Sequence, residues 1–255
     1  MKKIIYFLVM IFFVLLLIGC TPEDKEEKTT LMISAAASLT DVLNELKPVF
    51  EDEHPSIELT FNFGGSGKLA QMIIQGAPSD VFLSASESDM DKLQVEDMIL
   101  KETRVNFAEN ELALIANKNQ PVKVSSFDEI SSATVEHLAI GEPESVPVGR
   151  YTKQVLEHLE LWDSLQGSLV LSSDVRQVLT HVELGNADVG IVYASDALRS
   201  GKVTIVATAD SDWHDPIMYP GAVVSDTSHS KEAKLFLAFL TSEKGQELLH
   251  KHGFK

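Results

Sequence analysis

The sequence predicts an α/β protein of two lobes, each built on a central, mainly parallel sheet flanked by helices. Three observations carry this. Short apolar runs alternate with stretches of helical apolar spacing along most of the chain. Two longer extended runs, Arg104 to Ala116 and Ile217 to Val224, interrupt that alternation as connections between lobes would. The composition, 44% apolar and 23% charged over 255 residues, supports a packed core and excludes wholesale disorder.

The elements follow in chain order. Lys2 and Lys3 precede an apolar run, Ile4 to Ile18, shorter than a spanning helix needs, and Gly19-Cys20 follows it. This is the pattern of a cleaved secretory leader over Met1 to Gly19. Residues 20–30 form a flexible tether, because Thr21 to Thr30 holds no large apolar side chain to offset ordering entropy. The folded body is expected from Leu31. Leu31 to Ala36 reads as a buried strand, and Leu39, Val42, Leu43, Leu46 and Phe50 as one helix face. Ser56 to Phe63, Leu69 to Gln75 and Asp80 to Ser84 continue as strand, helix, strand.

Beyond the first interruption, His137 to Ile140, Ser168 to Ser172 and Val189 to Val192 read as strands, with helices at Tyr151 to Leu159 and Val175 to Leu184. Helices at Ala233 to Leu240 and Gly245 to His252 close the chain. The lobes are therefore expected at 31–109 plus 220–255, and at 110–219.

Charge narrows the function. Twenty-one Lys and Arg face 38 Asp and Glu, a net charge of −17, and loss of Lys2 and Lys3 with the leader makes it −19. Such a chain lacks the basic face that nucleic acids require. The single cysteine excludes an internal disulfide.

Four strand-to-helix junctions carry the chemistry: Ser34 to Ser38, Gly64-Gly65-Ser66-Gly67, Val146-Pro147-Val148-Gly149 and Ser172-Ser173-Asp174-Val175. The first turn of a helix has free N–H groups and a positive dipole end, and small residues let an anion approach them. Taken singly, Ser38, Ser66 and Asp174 read as ordinary N-caps and the glycines as a turn. Four in one acidic chain point to an anion site.

These residues resemble those of the molybdate-binding protein family of bacterial ABC transporters. The resemblance is carried by Ala35 to Asp41, by Gly64 to Ala70 with Gly76 to Phe82, by Glu142 to Gly149, by Asp174-Val175-Arg176, and by Gly190 to Asp196. Tyr219-Pro220 and Gly253-Phe254 fit as well, and the similarity runs from Leu31 to Phe254. Leu17-Ile18-Gly19-Cys20 resembles a lipobox, which implies acylation of Cys20 and a membrane-anchored, extracytoplasmic location.

The family resemblance implies a periplasmic-binding-protein fold of type II with the ligand between the lobes. It implies an intact molybdate or tungstate oxyanion held by Ser38 and Ser66 through hydroxyl and N–H, by the Val148 and Val175 N–H groups, and by the Tyr193 hydroxyl. No protein side chain would ligate the metal and no cofactor is implied. The implied partners are an ABC permease with its ATPase, for a monomeric receptor. Arg150 departs from the aliphatic residue that the resemblance leads one to expect.

Other classes fit less well. A receptor for sulfate, thiosulfate or phosphate is the nearest alternative. Lys68 replaces the last glycine of a G-x-S-x-G elbow, and no P-loop spacing precedes it. The eight histidines follow no metal-ligand spacing.

Overall fold

A computed structural model describes residues 28–255, so the leader, Cys20 and most of the tether lie outside the described residues. Two five-stranded sheets organise the described residues. The first has the order β2-β1-β3-β10-β4, with β1 at Thr29–Ala36, β2 at Ile57–Gly64, β3 at Val81–Leu83, β4 at Val105–Asn110 and β10 at Ile217–Val223. The second has the order β7-β6-β8-β5-β9, with β5 at Leu112–Asn117, β6 at Leu138–Gly141, β7 at Leu169–Ser172, β8 at Val189–Tyr193 and β9 at Val203–Thr208.

Helices fill the connections: α1 (Thr40–Glu53), α2 (Ser66–Ile74), α3 (Glu87–Val95), α4 (Pro147–His158), α5 (Trp162–Leu165), α6 (Val175–Glu183), α7 (Ala194–Arg199), α8 (Ser230–Leu240) and α9 (Glu243–Lys251).

The sheets are mainly parallel in strand direction, as the sequence suggested. In each, the three strands joined by helical crossovers are parallel, one strand (β10 or β5) runs antiparallel to them, and the edge strand beyond it (β4 or β9) pairs antiparallel with that one and so runs with the three. The antiparallel strands come from the two interruptions. Arg104 to Ala116 splits into β4 and β5, and the chain crosses from one sheet to the other at Glu111. It crosses back between β9 and β10. A strand that arrives from the other lobe enters at the end where a helical crossover would leave, so it runs antiparallel.

Three boundaries shift from expectation. Thr29 and Thr30, placed in the tether, are already strand, because they pair with Ile57 and Glu58 and the Thr29 N–H donates to the Ser56 carbonyl at 2.8 Å. Asn110 pairs with Ile217 inside the first sheet, so Asn110 and Ile217–Tyr219 belong to the sheet opposite the one expected. The ladder shifts register between Tyr219 and Pro220, where proline has no N–H to donate.

The first sheet is covered on both faces, which makes β3 apolar throughout. Val81 and Leu83 face the main core with α1 and α8. Phe82 faces a second cluster with Leu69, Ile73, Met90 and Leu93 from α2 and α3. Phe50 of α1 meets Phe236 and Phe239 of α8 edge-on at 5.5 and 5.4 Å, the favoured aromatic geometry. This packing fixes the first sheet, and hence the carboxyl ends of β1 and β2, rigidly beneath the cleft. Among the described residues no helix is long and apolar enough to cross a membrane.

Candidate functional site

A small cavity lies where the carboxyl ends of both sheets meet. All five residues assigned to the oxyanion from the sequence line it: Ser38, Ser66, Val148, Val175 and Tyr193. They come from five separate strand ends or helix starts, as expected of a site at the carboxyl side of parallel strands. Lys68 and Arg150 are absent from the lining, as is every histidine among the described residues.

The first lobe supplies hydroxyls. Ser38 sits in the 3-10 turn Ala37–Leu39 after β1, and Ser66 opens α2 after β2. Neither side chain caps its own helix, so the N-cap reading of both fails. The Ser66 oxygen instead accepts from the Ala85 N–H at 3.0 Å, which leaves its own O–H free to point into the cavity.

A relay orients Ser38. The Asn110 carbonyl oxygen accepts from the Glu111 N–H, so its amide nitrogen must face the other way. That nitrogen donates to Tyr219 Oη at 3.4 Å and to Ser195 Oγ at 2.8 Å. Tyr219 Oη also lies 3.0 Å from Ser38 Oγ, where either hydroxyl can donate. With Tyr219 as the donor, the Ser38 proton is available to a ligand.

The second lobe supplies backbone. Val148 lies in the first turn of α4, after Pro147 at its start, and Val175 is the first residue of α6. N–H groups in these positions have no acceptor within their helix. Asp174 is the N-cap of α6: its Oδ1 accepts from the Gln177 N–H at 3.0 Å, which turns that oxygen toward the helix.

Tyr193, at the end of β8, is buried, and its hydroxyl has no partner among the described residues. Burial pushes its pKa well above the ordinary phenol value, so it remains a donor. Asp196 lies behind Tyr193. Burial raises its pKa to about 7, Arg176 opposing and Asp41 reinforcing the shift. Its Oδ2 likewise lacks a partner among the described residues.

The glycines of the second junction permit the lobes to touch. A Cβ on Gly65 would lie 2.9 Å from the Ser173 carbonyl oxygen, and one on Gly67 would lie 2.7 Å from that of Ser145. The Gly67 N–H donates across the gap to the Ser145 carbonyl at 3.1 Å. A side chain at either position would hold the walls apart.

Ala85, Tyr219 and Asn110 had no assigned role in the sequence reading, although Tyr219-Pro220 fitted the family pattern. Ala85 had a signal: Ser84-Ala85-Ser86 is a fifth small-residue junction, between β3 and α3. The signal is faint, because α3 buries only Asp89, Met90 and Leu93 and so shows a weak apolar stripe.

Residues 31–255 match the family model of bacterial extracellular solute-binding proteins, and the chain belongs to that family. It is 44% identical over 224 residues to YvgL of Bacillus subtilis, assigned by name as an ABC transporter substrate-binding lipoprotein; the match covers 88% of this chain and 85% of that protein. It is 35% identical over 225 residues to the molybdate-binding protein ModA of Haemophilus influenzae, covering 87% of this chain and 88% of that protein. The solved periplasmic molybdate-binding protein of Azotobacter vinelandii superposes with a TM-score of 0.79 at 25% identity, over 88% of this chain and 98% of that one.

Proposed function

We propose that this protein is the extracytoplasmic receptor of an ABC importer, that it captures molybdate and tungstate as intact oxyanions, and that it delivers them to the membrane permease and its ATPase. The observation that carries the reading is the convergence of donors from both lobes on one small cavity. Ser38 and Ser66 each offer a hydroxyl and an N–H, Val148 and Val175 an N–H each, and Tyr193 a hydroxyl.

The magnitudes are adequate. A hydrogen bond to a charged group is worth about 1.5–3 kcal/mol, so these seven donors supply about 10–20 kcal/mol before desolvation and closure. A micromolar complex needs about 8 kcal/mol. No cation is required, which suits a cavity without lysine or arginine in its lining.

Selectivity follows from the same donors. Phosphate carries a proton near neutral pH and needs an acceptor, whereas the five assigned residues present donors to the anion and the one carboxylate of the lining, Asp174, turns its Oδ1 to the Gln177 N–H. Sulfate has the shape and charge of molybdate but shorter bonds, so it leaves donors stretched. Tungstate is nearly isosteric with molybdate and should be taken equally.

We further infer that Cys20 is acylated after removal of Met1 to Gly19, which tethers the two lobes outside the membrane as a monomeric receptor. The lipoprotein name of the Bacillus subtilis relative supports this. Isothermal titration of the protein with molybdate, tungstate, sulfate and phosphate tests the function. Heat with the first two and none with the last two is expected, whereas preferential uptake of sulfate or phosphate overturns the assignment.

A further inference from the structure

We propose that Arg150 and Asp89 form a latch across the cleft, which holds part of the population closed before any anion arrives. The proposal rests on the reading above that an anion is held by donors from both lobes, which requires the lobes to close on it.

Arg150 lies in α4 of the second lobe and Asp89 in α3 of the first, 61 residues apart in sequence. Arg150 Nη2 pairs with Asp89 Oδ2. The Asp89 side chain is 0% exposed and that of Arg150 only 24%. Lys92 also reaches Asp89, at 3.0 Å, but it belongs to the same helix and moves with it. A second ion pair bridging the two lobes, Arg176 with Asp41 at 2.8 Å, is 40% and 35% exposed. Salt and water screen that pair, whereas the Arg150 pair is largely shielded.

The latch is built to release. Arg150 Nη1 is buried with no partner among the described residues, so only part of the guanidinium is satisfied in the closed state. Opening restores water to both groups and recovers the desolvation cost of a buried pair. The two states therefore stay close in free energy, which is the condition under which a ligand shifts their populations.

Arg150 does not line the cavity. It is a positioning residue, and this chain carries it where an aliphatic residue was expected.

Gly67 reports closure directly. Its N–H stands in the first turn of α2, without an acceptor in its own helix, and its partner is the Ser145 carbonyl of the other lobe. The Ile33 N–H, in the middle of β1, reports the intact core.

The test is amide hydrogen exchange on the full chain with no added oxyanion. Arg150→Ala and Asp89→Asn should each speed exchange at Gly67 by about fivefold and leave Ile33 unchanged, because a lower closed fraction exposes only the interlobe amide. The double variant should be no faster than either single one, and Arg150→Lys should keep part of the protection. Unchanged exchange at Gly67, equal acceleration at Gly67 and Ile33, or additive effects in the double variant would overturn the latch.

Molybdate titration of the same variants should show affinity weakened about three- to fivefold, in proportion to the lost closed fraction. If the unaltered chain takes up no molybdate, the proposed function fails while the exchange comparison still decides the latch.

Discussion

The two lobes face the same cavity with different chemistry. The first offers the side-chain hydroxyls of Ser38 and Ser66, each held by a hydrogen bond from a distant part of its own sheet. The second offers the backbone of Val148 and Val175, together with the Tyr193 hydroxyl, which has no partner among the described residues. The first lobe's donors are therefore part of its folded structure. Those of the second are helix geometry plus one uncommitted hydroxyl. The difference teaches that one site can be tied to stability on one wall and be independent of it on the other.

The largest expected effect breaks the first wall. Ser66→Ala removes a donor to the anion and strands the buried Ala85 N–H, so it should cost about 1–3 kcal/mol in molybdate affinity and a similar amount in stability. Titration and thermal unfolding of the anion-free protein check both. Loss of affinity with unchanged unfolding would show that Ala85 finds another acceptor. Ser38→Ala should behave likewise, since it empties the relay through Tyr219 and Asn110.

Tyr193→Phe sharpens the contrast. Affinity should fall by about 1–2 kcal/mol, while stability without anion stays level or rises, because the hydroxyl lost has no partner among the described residues. A destabilised Phe variant would mean that the hydroxyl is engaged after all.

The third effect is one of pH. Asp196 has its pKa raised from 3.8 to about 7 by burial, with Arg176 opposing and Asp41 and Asp174 reinforcing the shift. Between those values the folded state binds the proton more strongly than the unfolded one. Stability from this group is thus complete below about pH 4, falls as pH rises, and is lost above about pH 7. The carboxylate formed behind Tyr193 also repels a dianion, so molybdate affinity should decline from pH 6 to pH 8. Asp196→Asn should flatten both profiles. A wild-type affinity that is level across that range would separate Asp196 from the cavity.

The smallest effects test the backbone wall and the charge. Val148→Ala and Val175→Ala keep the N–H groups and should change affinity by less than about threefold. Affinity should also stay flat, or improve slightly, as chloride rises to physiological strength, because screening weakens only the long-range repulsion from a chain of net charge −17. A steep loss with salt would mean that a cation holds the anion.

What the sequence determined by itself is local. Apolar period separates strand from helix because each element buries one face or both, and this placed the junctions that hold Ser38, Ser66, Val148 and Val175 between the right elements to within a turn of helix, while the family resemblance singled out those residues. It failed where local signals are weak. The helix α3 has a thin apolar stripe, β9 is half exposed, and β4 with β5 merged into one run. Only the tertiary structure decided which donors are free. The partners are Ser38 with Tyr219, 181 residues apart, Asn110 with Tyr219, 109 apart, and Ser66 with Ala85, together with Gly67 and Ser145 across the cleft. The strand Ile217–Val223 and the crossing at Glu111 bring these groups together. No periodicity encodes such pairings, because hydrogen bonds between distant segments depend on where the chain returns in space and not on the spacing of residues along it.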